Sequence, residues 1–303
     1  MPVSPPRAHW SARGCRGCAM LARGIFQFQL RRAFASKTLP YALLFSIGVM
    51  CACFMQMCLK FWGHDTSEVP SAVVAWVGNC DATETNVFSY FINYMMAPVA
   101  AAIFGDSFCA DVKGGLAASG ASRSSFVGYV LSGAAAAFIV AFLAVLAVLL
   151  GSQLLAFLAF PISSAPDAYQ SLGHFTAQVD SLDHLSQGLF GGLRVSARLL
   201  CNLIFCIQAA LWAGALSAAS YAVSLLTRGG RLLAIGVPTL AFLVANVTLP
   251  QELAPYTLLT SPLASNETLS LSFVAFVLEP LAVLLLSLLA VFLVGRFGRD
   301  VLL

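Results

Sequence analysis

Charged side chains are scarce in this sequence of 303 residues: Asp, Glu, Lys and Arg together make up 10% of it, and hydrophobic residues make up 59%. Soluble domains carry about 25% charged residues, because water must solvate their surface. So few charges cannot cover a soluble core of this size, and the bilayer must be the solvent for much of the chain. The net charge of +3 says little about partners, and we expect no nucleic acid among them.

Signatures of several chemistries are also missing. The sequence contains no Gly-x-x-x-x-Gly-Lys-Ser/Thr phosphate loop, and none of its three lysines follows a glycine, so the chain does not bind ATP in that way. No histidine follows His184, which leaves a membrane serine without the base that an intramembrane protease needs. Cys15-Arg-Gly-Cys18 has no second pair at zinc-binding spacing, and most of the nine cysteines lie in apolar segments. We therefore expect no enzyme, no metal site and no cofactor.

Six apolar segments are present, and they predict an all-α, polytopic membrane protein with six transmembrane helices. The predicted spans are residues 40–62, 86–104, 126–150, 199–226, 232–249 and 271–294. Most of them reach or approach the ~20 residues that cross a hydrocarbon core, and the fifth is the shortest. The apolar character of the third continues to Phe160. The third and fourth are rich in alanine, and such small residues let helices pack closely in a membrane.

The N-terminal part differs from the spans. Residues 1–19 are rich in Arg, Pro, Ser and Gly without an apolar period, which predicts a disordered tail. Residues 20–38 combine apolar and basic side chains, which favours an amphipathic helix in the membrane interface, with its cations near anionic headgroups. A short solvated basic tail is the alternative. Met20 is a candidate for the true start, and residues 20–303 are predicted to form one transmembrane domain.

The distribution of basic residues sets the orientation. With six spans, thirteen of the sixteen Lys and Arg residues lie on one side of the membrane. The loops at 63–85 and 249–270, on the other side, contain no Lys or Arg but several acidic residues. Because cytoplasmic loops carry the excess of Lys and Arg, both termini are predicted to be cytoplasmic. We expect a multi-pass protein of a cell membrane, most simply a bacterial plasma membrane.

One carboxylate falls inside a predicted span. Glu279 precedes Pro280 in the sixth span, and a charge at the bilayer centre costs about 2.5–3.5 kcal/mol. The pair favours a helix that restarts near the outer side after a short break, because Pro suits the first helical turn and Glu suits a helix N-terminus. A role of Glu279 in handling a substrate or an ion is the alternative.

The longest outward loop, 161–192, contains three residues with helical spacing: Asp180, Asp183 and His184. Such a group could hold a metal ion. Exposed acidic loops usually face water instead, and we expect no metal there.

The stretch from Gly105 to Phe126 is the polar break between the second and third spans. It is rich in Gly and Ser and carries charges of both signs. Its glycines interrupt helix periodicity, and the serines just before Phe126 can cap the third span. Composition alone favours a solvated cytoplasmic connector.

In the order of these features the chain resembles the permease subunits of ABC transporters of the six-span exporter class. That family has an amphipathic elbow helix on the cytoplasmic face, which 20–38 matches, and an interrupted outer region before the last span, which Glu279-Pro280 matches. After the second span it carries an acidic residue, then Gly, then a Ser-Arg pair. The corresponding residues here are Asp106, Asp111-Val-Lys113-Gly114 and Ser122-Arg123, with Phe126 after them.

The resemblance implies a function for the polar stretch. In that family it is the coupling helix, so six residues are expected to contact a separate ATPase subunit: Asp106, Asp111, Lys113, Gly114, Ser122 and Arg123. It also implies a second permease copy or a sister permease, and export of a substrate that the sequence does not identify. The double glycine at 114–115 and the long loop 161–192 depart from the family's pattern.

Other classes predict features that we do not find in the sequence. An ATP-independent secondary transporter or channel should show more intramembrane ionisable groups or an internal repeat of spans. A membrane-embedded enzyme should show His, Asp or Glu residues that converge at membrane depth. A structural membrane partner remains a further alternative.

Overall fold

A computed structural model describes residues 13–65, 69–79, 87–117, 125–163, 189–227, 230–248 and 273–297. Within these residues the chain forms helices and connecting turns, with no strands. The α-helices are α1 Arg13–Phe34, α2 Thr38–Lys60, α3 Val87–Tyr90, α4 Met96–Phe104, α5 Ser107–Lys113, α6 Phe126–Ala159, α7 Gly191–Ser196, α8 Arg198–Leu226, α9 Arg231–Thr248 and α10 Phe273–Phe297. A π-helical turn, Phe91–Met95, joins α3 to α4.

Five helices are long and apolar enough to cross a membrane, which is the character of an integral membrane protein. They are Thr38–Lys60, Val87–Lys113, Phe126–Ala159, Arg198–Leu226 and Phe276–Phe297. α9 is apolar too, but its 18 residues extend only about 27 Å, slightly less than the ~30 Å of a hydrocarbon core. The prediction of an all-helical membrane protein is confirmed for the described residues, with five clear candidates where six spans were predicted.

The main helices of the bundle run alternately in opposite directions. Thr38, the first residue of α2, donates its hydroxyl to the carbonyl of Ile103 near the end of α4, at 2.9 Å. At the other extreme of the molecule, the ring of Phe61, just after α2, meets that of Phe160, just after α6, with centroids 5.8 Å apart. We call the first extreme, where α5 also lies, the α5 end and the second the far end.

α8 is the central helix of the bundle and contacts α4, α5, α6, α9 and α10. Trp212 and Tyr221, two of its largest side chains, are almost fully buried. Two glycines permit its close packing against α6. A Cβ on Gly133 would collide with the Tyr221 hydroxyl, and one on Gly214 would lie 2.7 Å from the ring of Phe138. Small residues thus bring the backbones together, as in other membrane bundles.

Pro280 lies inside α10 and removes one hydrogen bond from it, because proline has no backbone N–H. The carbonyl left without its helical donor belongs to Phe276, four residues earlier. The side-chain amide of Gln208 in α8 donates to that carbonyl. The prediction that a helix begins at Glu279-Pro280 is wrong, because α10 already begins at Phe273 and continues through the proline. Gln208 supplies the hydrogen bond that makes this continuation possible in an apolar environment.

The same arrangement recurs in α9, which contains Pro238. The carbonyl that Pro238 leaves without a donor belongs to Ala234. Ser220 of α8 donates its hydroxyl to this carbonyl at 2.8 Å. The Ser220 Oγ also lies 3.2 Å from the carbonyl oxygen of Ala101 in α4. α8 therefore compensates the missing hydrogen bond in α9 as it does in α10.

A third proline lies after the π-helical turn of the second span. The N–H of Met96 bonds the carbonyl of Phe91, five residues earlier. Pro98, in the first turn of α4, has no backbone N–H to donate. The side-chain amide of Asn246 in α9 donates to the Asn93 carbonyl at 3.1 Å. A polar side chain from a neighbouring helix thus bonds a carbonyl four or five residues before each of these three prolines.

The N-terminal helix is longer than the sequence predicts. α1 begins at Arg13, inside the stretch 1–19 that the sequence analysis assigned to a tail. Residues 1–12 lie outside the described part of the chain. The two glycines of this stretch each weaken a helix by about 1 kcal/mol relative to alanine, which is too little to stop its extension from the stronger helix formers that follow.

Candidate functional site at the α5 end

The short helix α5 lies against α8 at one end of the bundle. The turn before it passes close to α8 because residue 105 is glycine: a Cβ on Gly105 would collide with Ser220. Phe108 and Cys109 are buried on the inner side of α5. The Cys109 thiol reaches the carbonyl of Ser224 at 3.8 Å, near the end of α8. The part of the polar stretch that forms α5 is therefore packed into the bundle.

Asp111 connects α5 to two other helices. It is 0% exposed, and its Oδ1 forms an ion pair with the guanidinium of Arg32 in α1. Its Oδ2 accepts a hydrogen bond of 2.7 Å from the Tyr129 hydroxyl in α6. A buried carboxylate needs such partners, because an uncompensated charge inside a protein is strongly destabilising.

Arg32 keeps its charge in this environment. Partial burial disfavours the charged form, but the hydrogen bond and the negative charge of Asp111 outweigh this effect, and the pKa of Arg32 is raised above its ordinary value. Gln29, one turn earlier in α1, is also buried and adjoins the Tyr129 hydroxyl. Tyr221 of α8 completes the group with its buried ring 6.3 Å from that of Phe108.

A second ion pair fixes the beginning of α5. Asp106, in the turn before the helix, pairs with Arg231, the first residue of α9. The arginine side chain is 59% exposed and the carboxylate 12%, so the pair contributes little free energy, as is usual for exposed ion pairs. Its effect is to set the position of α9 beside the turn.

Together these contacts form what we call the α5 junction: Arg32, Asp106, Asp111, Tyr129 and Arg231. It connects α5 to α1, α6 and α9, and the packing of Phe108 and Cys109 adds α8. Both carboxylates of the junction are engaged by arginines, which leaves neither of them available as a general base. The arrangement is suited to passing a displacement of α5 to several helices at once.

The structure divides the six predicted contact residues into three groups. Asp106 and Asp111 face inward and hold helices together. Lys113 and Gly114 are exposed at the end of α5, where Gly115 follows with a φ of 69°. Ser122 and Arg123 lie outside the described residues. The predicted cap of the third span is present: Ser125 accepts a hydrogen bond of 3.1 Å from the N–H of Gly128.

The α5 end also exposes apolar side chains that sequence reasoning did not single out. Val112 and Leu116, on either side of Lys113 and the glycine pair, are 39% and 41% exposed. We call residues 112–116 the α5 tip. Glu279, the carboxylate singled out in the sixth span, is half-buried in the second turn of α10, away from the junction.

A second polar network lies at the far end and was missed from the sequence. Residues 69–79, part of a loop predicted between the first two spans, fold back into the bundle, where Trp76 is 2% exposed. The Trp76 indole donates to Ser152 at 2.9 Å, and the Gln153 amide donates to the carbonyl of Ala72 at 3.2 Å. Asn202 donates to the side chain of Gln153 at 2.9 Å. The apolar run from Val69 to Val77 was the signal that could have indicated this burial.

The predicted metal-ligand candidates of the loop at 161–192, Asp180, Asp183 and His184, lie outside the described residues. Comparison of the chain with models of known protein families, with curated proteins and with solved structures gives no significant match.

Proposed function

We propose that this chain is the membrane-spanning permease subunit of an ABC-type export system, which moves an unidentified substrate with energy from a separate ATPase subunit. The observation that carries the proposal is the α5 junction. α5, the short helix at the end of the second candidate span, is bound to α1, α6, α8 and α9, so a partner that displaced it on ATP binding would move all four. A second permease copy or a sister permease and the lipid bilayer are the other proposed partners.

The junction sharpens which residues meet the ATPase. Lys113 and Gly114 belong to the exposed α5 tip and are the proposed contacts, with the exposed apolar side chains of Val112 and Leu116 beside them. Ser122 and Arg123 stay in the proposed contact set from the sequence. Asp111 acts behind the tip, because its buried ion pair with Arg32 makes α5 move together with the bundle. Asp106 adds a more exposed contact to α9.

The topology proposed with this function has six spans, with α9 as the fifth. α9 follows α8 along its length in the opposite direction: Ser220 bonds Ala234 near the α5 end, and Trp212 meets Phe242 at 5.8 Å further along. Asn246, near the end of α9, reaches the second span close to its far-end start. These contacts support a helix that crosses the same layer as α8. The positive-inside pattern then supports a cytoplasmic α5 end and both termini in the cytoplasm. The membrane proposed with this topology is a bacterial plasma membrane.

The proposal is tested by isolating the full chain from its native membrane with a mild detergent. We expect an ATPase that contains a phosphate loop to co-purify with it. The variant Arg123→Glu should insert into the membrane normally but lose the ATPase, because the charge at the contact is reversed. Arg296→Glu, in the last turn of α10, is the matched control and should retain it. Absence of any ATPase, or equal retention by both variants, would contradict the proposal.

A second candidate function is an ATP-independent secondary transporter or channel. It is favoured by the three proline-containing helices, α4, α9 and α10, in which side chains from neighbouring helices bond backbone carbonyls just before the proline. Transporters of that class place their binding sites at interrupted helices. Flux through liposomes that contain the chain alone, driven by an ion gradient and independent of ATP, would favour this candidate over the first.

A further inference from the structure

The two sides of α1 have different roles. One side faces the bundle, where Ala33 is 0% exposed, Gln29 is 1% exposed and Arg32 pairs with Asp111. The other side faces away from the protein, with half of the surface of Phe28 and of Phe34 exposed. Arg31 lies on this outer side and is exposed, although it is the immediate neighbour of Arg32. Adjacent arginines thus lie on different faces of one helix, one exposed and one directed at the bundle.

The N-terminal part of the sequence carries basic residues and no acidic ones. Residues 1–38 contain seven Lys and Arg residues and no Asp or Glu, and the first acidic residue of the chain is Asp65. Among the basic residues whose side chains are described there, Arg32 has a carboxylate partner in Asp111. The exposed side of α1 therefore favours an anionic ligand, and its two phenylalanines favour one with an apolar part.

The surface next to α1 indicates what that ligand is. α2 begins four residues after α1 ends, and Tyr41 and Leu44 in its first turns are 72% and 70% exposed. α2 is also long and apolar enough to cross a membrane, so these side chains face lipid. Because α1 ends four residues before this candidate span begins, its exposed side is expected to lie in the headgroup region.

We infer that the outer side of α1 is a binding surface for an anionic phospholipid. Arg31 contacts the phosphate of the headgroup, and Phe28 and Phe34 insert beside the start of the acyl chains. Because the next residue, Arg32, is held by Asp111, a bound lipid stabilises the position of α1 against the α5 junction. The inference depends on the membrane character of the chain and goes beyond the proposed transport function.

The experiment uses the purified full chain in detergent, titrated with dioleoyl phosphatidylglycerol or with dioleoyl phosphatidylcholine. Bound lipid is counted by native mass spectrometry, and the midpoint of thermal unfolding is followed in parallel. We expect tighter binding of phosphatidylglycerol, with about a fivefold loss of affinity in Arg31→Gln, since one basic residue near the surface contributes about 1 kcal/mol. Arg31→Lys should keep the binding. Arg296→Gln, which removes an exposed cation from the last turn of α10, is the control and should bind as the unaltered chain does.

Further arms separate the possible ligands. Glycerol 3-phosphate, the soluble part of the headgroup, should neither bind nor raise the unfolding midpoint, because it offers nothing to Phe28 and Phe34. Equal affinity of Arg31→Gln and the unaltered chain for phosphatidylglycerol would overturn the inference. So would equal binding of the two lipids, or a full effect of glycerol 3-phosphate. No ATPase takes part, so this result and the co-purification result fail or succeed separately.

Discussion

The side-chain amide of Gln208 donates to the carbonyl of Phe276, which Pro280 leaves without its helical donor. Gln208 is 2% exposed, so water does not replace it. A glutamine in the middle of an apolar helix is costly unless it is satisfied, and here its partner exists because another helix contains a proline. The buried glutamine at position 208 and the proline at position 280 therefore depend on each other.

This pairing predicts a conditional effect of mutation. Gln208→Leu should destabilise the chain by about 1 kcal/mol, because the Phe276 carbonyl loses its donor. In the background Pro280→Ala the same change should cost much less, since the restored backbone N–H of residue 280 reaches that carbonyl. A double-mutant cycle of unfolding in mixed detergent and SDS micelles measures the difference.

The control is Ile207→Leu, a change at the half-exposed neighbouring position, and it should have little effect. An unchanged cost of Gln208→Leu in the Pro280→Ala background would show that the amide acts elsewhere.

A second prediction concerns the buried ion pair of the α5 junction. Asp111→Ala should destabilise the chain by about 3 kcal/mol, because the partly buried charge of Arg32 is left without its partner. The double variant Arg32→Met/Asp111→Leu should recover much of this loss, since neither charge remains. Unfolding midpoints and hydrogen exchange in α1 measure both effects.

Arg31→Met provides the control for that cycle. Its side chain is exposed, so the change should stay within about 0.5 kcal/mol in detergent without anionic lipid. If the single and double junction variants were equally unstable, packing rather than the charge pair would explain the loss.

A third prediction concerns residues 69–79 at the far end. Gln153→Leu removes the donor to Ala72 and the acceptor for Asn202, so this segment should loosen from the bundle. Hydrogen exchange of its amides should accelerate by at least about tenfold, the equivalent of about 1.4 kcal/mol, while exchange in α10 stays unchanged. Leu154→Ala alters the exposed neighbouring side chain and should leave the segment protected. Unchanged protection in Gln153→Leu would mean that the apolar contacts of Trp76 suffice to hold it.

Much of the fold could be predicted from the sequence. The apolar segments predicted α2, α6, α8, α9 and α10 to within a few residues at most ends, because long runs without charges can only be stable as helices in lipid. The serines before Phe126 predicted the start of α6, since a hydroxyl at that position satisfies a free N–H. α6 also extends to Ala159, as its apolar continuation to Phe160 indicated.

The sequence predicts where in the chain the candidate site lies, but it does not predict which contacts its side chains make. Polarity and spacing singled out Asp106 and Asp111, but an acidic residue in a sequence does not reveal whether it faces a partner or an arginine of its own chain. Arg31 and Arg32 illustrate the difficulty, because they are identical in type and adjacent, yet among the described residues only Arg32 is held by a carboxylate. The burial of residues 69–79 was hidden for a related reason: a short apolar run between acidic residues fits a surface loop as well as a packed one.

The chain position of the two ion pairs has a consequence for biogenesis. Ribosomes deliver Arg32 before Asp111 and Tyr129 soon after it, so the buried carboxylate can be neutralised while the first three spans are still being inserted. Asp106 must wait until α8 is complete and Arg231 emerges with α9. The N-terminal half can thus pack around Asp111 early. The less buried Asp106 stays without its arginine until α9 docks beside it.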